Sequence, residues 1–357
     1  MSQLTQTAHH ARKFIKFSLI GLAVIIILVP ASKSFRAYWE ERHPQPPPPP
    51  NLALGKIPAI NFGTKRHPVK NFSFQLQTVD GNLPNLGTQS RVYFIPILGP
   101  KFFDEDKTRK TAAALGFTNE LGKISNTRFA FSNTDTGATM KIDTINNNFE
   151  ISYPWENNLF FANTQGPNQT QALQAVQNYL NRAGLWPDDT DPQNSNYIFL
   201  KYNHDERRLI AVPSLSESQL VKVNLRRANL DNRPIMPPNP DEGNIAFIVS
   251  SQSGNRQFIF GKYIRYPITN DRFGTYPIKS SVTAWEELTS GQGFIARLGN
   301  NNDQALITIR NIYLAYFDPE IPQSFLQPIF VFEGLNNFLA YLPALDPSVI
   351  SQENQAN

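Results

Sequence analysis

The sixteen residues Phe17–Ser32 (FSLIGLAVIIILVPAS) carry no charge, and no other stretch limits so sharply what the chain can become. A helix that crosses a bilayer needs about 17–25 apolar residues, whereas the core of a signal peptide needs only about 7–15. Extending back to Phe14 crosses one base, Lys16, whose long stem reaches the headgroups. The segment predicts a transmembrane helix over 14–32, behind a short cytoplasmic tail over 1–13. Arg12, Lys13 and Lys16 lead into it beside His9 and His10. Tyr38 and Trp39 follow it, where interfacial aromatics belong. The alternative is a cleaved signal peptide, for which Val29-Pro30-Ala31 supplies small residues at cleavage-like spacing. Both readings export the rest of the chain. The bases before and after the segment are equal in number, so the free amino terminus and the short leading tail set the orientation, with the body extracytoplasmic.

Pro44-Gln45 and the run Pro46–Pro50 come next. At about 3.1 Å per residue of polyproline helix, these seven residues form a stiff spacer of roughly 20 Å. A proline run also serves as a ligand for proline-binding domains, but beside an apolar anchor the stalk reading is preferred. Residues 33–60 are therefore expected to be a juxtamembrane and proline-rich stalk.

The formal net charge of +4 suggests a nucleic-acid partner only until it is located. Residues 1–42 hold six Lys or Arg and two acids, the whole surplus. From totals of 33 bases and 29 acids, the remaining 315 residues keep 27 of each. A phosphate-binding surface needs clustered excess bases, so a neutral body argues against nucleic acid as a partner. The absence of cysteine excludes disulfides, thiol catalysis and thiolate metal sites together. Asn71-Phe72-Ser73 and Asn168-Gln169-Thr170 match glycosylation acceptors, a pattern too short to carry weight.

Beyond residue 60 the pattern is mixed. Phe72–Val79 alternates and Arg91–Leu98 is apolar, as strands are. Thr108–Leu115 reads as a helix stopped by Gly116, followed by strands at Arg128–Ser132, Thr139–Asp143 and Phe149–Tyr153. Gln169–Ala183 is the strongest helix, with Ala172, Leu173, Val176, Tyr179 and Leu180 on one face and Gly184 at its end. Strands follow at Tyr197–Tyr202, Leu209–Val212, Gln219–Arg226, Ile245–Ser250 and Gln257–Tyr263, interrupted by the proline-rich turn Arg233–Pro240. A third helix, Val282–Thr289, opens at the N-cap Ser280 and stops before Gly291, with strands at Ala305–Ala315, Ile329–Phe332 and Phe338–Leu342. The recurrence predicts an α+β fold of lobes, each a helix packed on an antiparallel sheet. The lobes are an N-terminal one over 61–165, a middle one over 166–275 and a C-terminal one over 276–346, with a flexible tail at 347–357.

The search for chemistry returns no catalytic, cofactor-binding or metal-ligating residue. Of five histidines only His67 and His204 lie in the body, and neither has a partner at metal spacing. No His-Glu-x-x-His, Gly-x-Ser-x-Gly, P-loop or Ser-x-x-Lys context appears. Asp188-Asp189-Thr190-Asp191 resembles the start of a calcium loop, but Asn194 and Leu200 stand where the loop needs Gly and Glu, so a solvated turn is the reading. Glu286 and Glu287 are helix neighbours that point apart, and Glu333-Gly334 reads as a hairpin turn. Tyr313, Tyr316, Phe317 and Trp285 read as core.

The C-terminal third carries a distinctive order: Thr275-Tyr276-Pro277-Ile278-Lys279-Ser280 into Ala284-Trp285-Glu286-Glu287-Leu288 and Gly291; then Ile309–Phe317; then Phe325-Leu326-Gln327-Pro328 through Gly334; and Phe338-Leu339-Ala340-Tyr341-Leu342-Pro343-Ala344. Over about residues 245–345 this resembles the C-terminal lobe of the YycH/YycI family, related to PepSY-type domains, with fainter echoes at Ala112–Phe117 and Ala172–Leu185. The resemblance implies one N-terminal membrane helix, extracytoplasmic α+β lobes, and non-catalytic regulation of a sensor kinase in the same membrane. The N-terminal lobes and the proline stalk depart from that family. The function expected is a membrane-anchored, extracytoplasmic, non-catalytic binding or regulatory protein with a protein partner in or near the same membrane. An envelope enzyme acting on peptide or glycan, its carboxylates brought together only by folding, and a passive structural component are the alternatives.

Overall fold

The computed structural model describes residues 22, 25–26, 28–36, 38–39, 48–63, 72–157, 159–301 and 306–351. The chain divides into two compact units, Met1–Pro49 and Pro50–Asn357. In the first, residues 28–36 are helical, and Leu28, Val29 and Phe35 lie exposed, as do Ile25 and Ile26. Most of the expected membrane helix, including 14–21, lies outside the described residues, as do the cytoplasmic tail and residues 40–47 of the stalk. Among the described residues, no helix is long and apolar enough to cross a membrane.

The second unit is mixed α and β. Its elements run β1 (Ser73–Leu76), β2 (Gln89–Phe94), α1 (Asp104–Ala114), β3 (Asn119–Ser125), β4 (Arg128–Ser132), β5 (Thr139–Asp143), β6 (Phe149–Ser152) and α2 (Gln169–Arg182). There follow β7 (Thr190–Asn203), β8 (Arg208–Ala211), β9 (Leu220–Arg227), β10 (Ile235–Met236), β11 (Ile245–Ser250), β12 (Phe258–Tyr263) and β13 (Thr269–Pro277). The last are α3 (Ser281–Thr289), β14 (Phe294–Arg297), β15 (Leu306–Phe317), β16 (Phe325–Leu326), β17 (Pro328–Gly334) and β18 (Leu339–Pro343).

Helix α2 forms where its apolar spacing and its cap agree. Asn168 accepts from the Gln171 backbone N–H while the Gln171 side chain accepts from the Asn168 N–H, a reciprocal capping box. Its face of Ala172, Val176, Tyr179 and Leu180 is buried against β9 and β11. Val176 and Leu180 are fully enclosed, each worth about 1.5–3 kcal/mol of burial. Helix α1 is weakly amphipathic and opens with Asp104, Glu105 and Asp106, acids that suit the positive end of a helix dipole. In α3 the Ser280 hydroxyl accepts from the Thr283 N–H, as its position before the helix predicts.

The sheets group these strands differently from the three expected lobes. One nine-stranded sheet runs β3-β4-β5-β6-β12-β11-β9-β7-β8 and joins strands assigned to the N-terminal and middle lobes through the pairing of Phe149–Ser152 with Phe260–Tyr263. A second, six-stranded sheet runs β1-β15-β17-β18-β14, with β10 also on β15. It draws β1 from the N-terminal lobe in parallel register, Phe74 opposite Ile307. A third sheet, β13-β2-β16, joins residues 89–94 to 269–277 and 325–326. Two large cores result. One lies between the nine-stranded sheet and helices α1 and α2; the other packs α3 on the six-stranded sheet.

Both ends of the body differ from expectation in the same place. Ile57 is fully buried and bridges Ile350, and Val349 is buried beside it. Tyr276 Oη donates to Gly55 O and accepts from the Leu54 N–H, so residues 51–60 belong to the body rather than to a stalk. The tail is structured through Ser351, whose N–H bonds Ile57 O; residues 352–357 lie outside the described set. Glu333 remains within β17, and the turn falls at Leu335–Asn337, where Asn336 and Asn337 take left-handed φ. Trp285 is half-buried against Phe332 at 6.4 Å between ring centres, while Ala284 and Leu288 are fully enclosed. The tryptophan therefore roofs the second core rather than filling it.

Gly261 shows why a strand here carries glycine. A β-carbon at this position would meet the ring of Phe247 on the neighbouring strand at 2.8 Å. Gly261→Ala should destabilise the body by about 1–3 kcal/mol, as overpacking does. A thermal midpoint within a degree of the parent would show that the Phe247 ring yields freely.

Candidate functional site

Side chains alternate across a strand, and in the nine-stranded sheet that alternation separates two chemistries. Phe129, Met140, Ile142, Ile151 and Phe247 belong to the core beneath α1 and α2. The opposite face carries, on neighbouring strands, the cross-strand row Ala130, Lys141, Glu150, Lys262, Ala246 and Asn224. Lys141, Glu150 and Lys262 place alternating charges at a cross-strand spacing of about 4.5–5.5 Å.

A groove of about 420 Å³ lies on this face. Phe260 and Ile264 supply its apolar surface, and Arg128, Lys141, Glu150, Glu242 and Lys262 its polar walls. At one end Lys262 Nζ donates to Glu242 Oε1 at 3.1 Å and to Glu320 Oε1 at 2.7 Å, and Lys222 Nζ reaches Glu242 Oε2 at 3.3 Å. Burial alone would raise the Glu242 carboxyl. The two lysines outweigh it and hold the group below the usual carboxylate range. Glu242 is thus a fixed negative charge, opposite in tendency to a general acid working near neutral pH. At the other end Arg128, Lys141 and Glu150 are exposed and form no ion pair with a described residue. Asp143, cross-strand from Arg128, lines the groove as well, so it offers two bases and two acids, none in an ion pair with a described residue, around an apolar patch.

Ile264 also borders a second, tight cavity of about 30 Å³. Here Asn224 Nδ2 donates to Asp241 O and Asn244 Nδ2 to Asp318 O, while both Oδ1 atoms are buried without a partner. A water molecule needs roughly 10–15 Å³ and two or more polar neighbours, so this cavity has room for water and is too small for a larger ligand.

Beside it runs a chain of buried charge. Arg227, at the end of β9, donates to Asp189 Oδ2 at 2.8 Å and to Asp318 Oδ1 at 2.9 Å. Arg265 donates to Asp189 Oδ1 at 3.2 Å and to Asp188 at 2.7 Å. Burial alone would lower Arg227, but Asp318 and Asp189 raise it. Burial would raise Asp189, but Arg227 and Arg265 lower it. Buried Asp318 is pushed up by burial against the pull of Arg227.

The acidic run Asp188–Asp191 is thus a structural clamp, with Asp191 capping the turn to Gln193 and Asn194. His204 is exposed with its ring 4.8 Å from Tyr202, and His67 lies outside the described residues. Glu287 pairs with Lys279, and Glu333 accepts from Tyr313 and Asn311. The structure does not gather these carboxylates into one site. Asn168 is the helix cap described above. Among the described residues no group of three or more His, Cys, Asp or Glu is arranged to hold a metal ion. The groove residues escaped sequence reading; Arg128–Ser132, Thr139–Asp143 and Phe149–Tyr153 read as strands, but a strand's own sequence does not say which strands lie side by side.

No family model matches the chain, and no curated protein matches it. Among solved structures it is similar to an uncharacterised protein from Eubacterium rectale, at 12% identity and a TM-score of 0.37, over 71% of this chain and 82% of that one. It is also similar to the YpeB C-terminal domain of Bacillus megaterium, at 10% identity and a TM-score of 0.30, over 70% of this chain and 94% of that one. Neither TM-score is high enough to establish a common fold, and the YycH/YycI resemblance has no counterpart among these matches.

The clamp carries a pH signature. Asp189 is lowered in the folded state, so its contribution to stability is present above the ordinary aspartate value of 3.8 and is lost as pH falls through the lowered one. Asp189→Asn should be clearly less stable than the parent at pH 7 by chemical denaturation, and the gap should close as the pH drops below 3.8. A gap unchanged between pH 7 and pH 3 would show that the charge of Asp189 contributes nothing.

Proposed function

We propose that this protein is a membrane-anchored, extracytoplasmic, non-catalytic binding or regulatory protein whose groove on the nine-stranded sheet receives a segment of a partner protein in or near the same membrane. The observation that carries the reading is the composition of the groove. It has an apolar patch of Phe260 and Ile264, a fixed ion-pair cluster around Glu242, and Arg128, Lys141 and Glu150 left exposed for a partner. Such a surface can satisfy a peptide's apolar side chain and its charges of both signs, and a neutral body suits that partner better than a phosphate backbone. The uncharged segment Phe17–Ser32 supports the anchor, and the bases ahead of it support a cytoplasmic amino terminus. The resemblance to the YycH/YycI and PepSY-type regulators points the same way, towards a membrane sensor as partner. The enzyme alternative has no support from the groove, where Glu242 is held ionised rather than poised to give up a proton.

Two measurements test the reading. Protease added to intact spheroplasts should digest the region after residue 51; complete protection would reverse the topology. Arg128→Glu with Lys141→Glu should abolish crosslinking to the partner in native membranes. The thermal stability should stay close to the parent's, since exposed substitutions usually change stability by only about 0.5 kcal/mol. Undiminished crosslinking would remove the groove from the binding surface.

A further inference from the structure

The connection between β2 and α1 holds apolar side chains that the body does not cover. Ile95 is buried and its N–H bonds Ser324 O at 2.8 Å, after which the chain turns outward. Ile97 is 60% exposed, Phe102 91% and Phe103 71%. The two phenylalanines occupy the central positions of a closed turn. The Asp104 N–H bonds Lys101 O at 3.1 Å, and the Lys101 N–H bonds Asp104 Oδ2 at 2.6 Å. Their rings meet edge to face at 5.2 Å. Central turn positions ordinarily take Gly, Pro, Asn, Asp or Ser, so folding gives no reason for two aromatic rings there. A ring as exposed as Phe102 projects beyond its neighbours.

The surrounding charge is nearly balanced: Lys101, Lys107, Arg109 and Lys110 against Asp104, Glu105 and Asp106. Asp104 closes the turn, Glu105 is paired with Lys123 and Arg109, and Asp106 with Arg109. Charge therefore does not select what this surface meets, and apolar contact does. We propose that the 97–103 turn is an interfacial membrane contact, in which Phe102 and Phe103 enter the headgroup layer of a lipid bilayer. Aromatic rings favour that layer, and a fluid surface receives two rings set edge to face without a pocket shaped to them. The choice of lipid rests in part on the anchored reading above, which keeps the body beside a bilayer, and the test separates the two.

The chain has no cysteine, so a single introduced cysteine takes a single spin label. The full chain, reconstituted into phosphatidylcholine vesicles, is labelled separately at Lys101→Cys, at Asp205→Cys in the exposed turn between β7 and β8, and at Ile25→Cys in the apolar segment. Collisions with oxygen report lipid, and collisions with a nickel chelate report water. At position 101 the label should be protected from nickel several-fold relative to position 205. Phe102→Ser with Phe103→Ser should abolish that protection while leaving the thermal midpoint near the parent's. A label at 101 as open to nickel as that at 205, or one shielded from nickel and oxygen alike as in a protein pocket, would overturn the proposal. Burial at 25 with exposure at 101 sinks this inference and leaves the anchor intact; the reverse sinks the anchor and leaves the contact.

Discussion

Arg227 holds the two larger sheets to one another. It ends β9 of the nine-stranded sheet, yet one of its carboxylates, Asp318, lies just past β15 of the six-stranded sheet, and the other, Asp189, leads into β7. A guanidinium removed from water this completely is tolerable only when its partners are in place. The constraint spreads outward from there. Asn244 binds the carbonyls of Asp318 and Pro319, and Glu320 reaches Lys262 in the groove. The inner wall of the groove is thus set by the same segment, 318–320, that closes the clamp. Loss of Arg227 would leave Asp318 buried and uncompensated, which costs more than the pair is worth when intact.

A second carboxylate does a related job at the sheet that bridges the two others. Asp231 accepts from Arg91, Tyr93 and Tyr316, so a single turn gathers β2 and β15. The turn is closed by reciprocal bonds between Leu230 and Arg233, with Asp231 and Asn232 both at left-handed φ. Asp and Asn are the residue types that accept that conformation at least cost. Proline-rich 233–240 then runs on to form β10 and the cover of the small cavity through Pro237 and Pro240. What reads in sequence as an interruption is a structural element of the junction.

Local signals were legible wherever one element sufficed. The N-cap at Ser280, the stops at Gly184 and Gly291 and the periodicity of Gln169–Ala183 placed the helices to within a few residues, and the α+β class followed. Strands β3, β13 and β14 were not legible. β3 (NELGKIS) is polar at a sheet edge, and β13 (TNDRFGTYP) bends through a bulge between Thr269 and Phe273. The grouping into lobes differed because pairing is non-local: Phe74 meets Ile307, and Ile151 meets Gly261. The same distance hides the groove. Lys141, Glu150 and Lys262 are unremarkable surface residues until β5, β6 and β12 are known to be neighbours. Asp189 looked like part of a solvated turn because its partners, Arg227 and Arg265, stand 38 and 76 residues away.

The groove's chemistry bears on the membrane tether proposed above. An exposed ion pair contributes about 0.2–1 kcal/mol, and Arg128, Lys141 and Glu150 offer few of them. Burying an apolar side chain against Phe260 and Ile264 adds about 1.5–3 kcal/mol. Association itself costs at least about 4 kcal/mol of lost freedom. Contacts of this kind leave little surplus between two freely diffusing molecules. If both partners are confined to one bilayer, much of that freedom is already lost before they meet, and the effective concentration rises without any new contact. Under the proposed function, an anchor would supply the encounter, and the weak, mixed-charge groove would need only to discriminate.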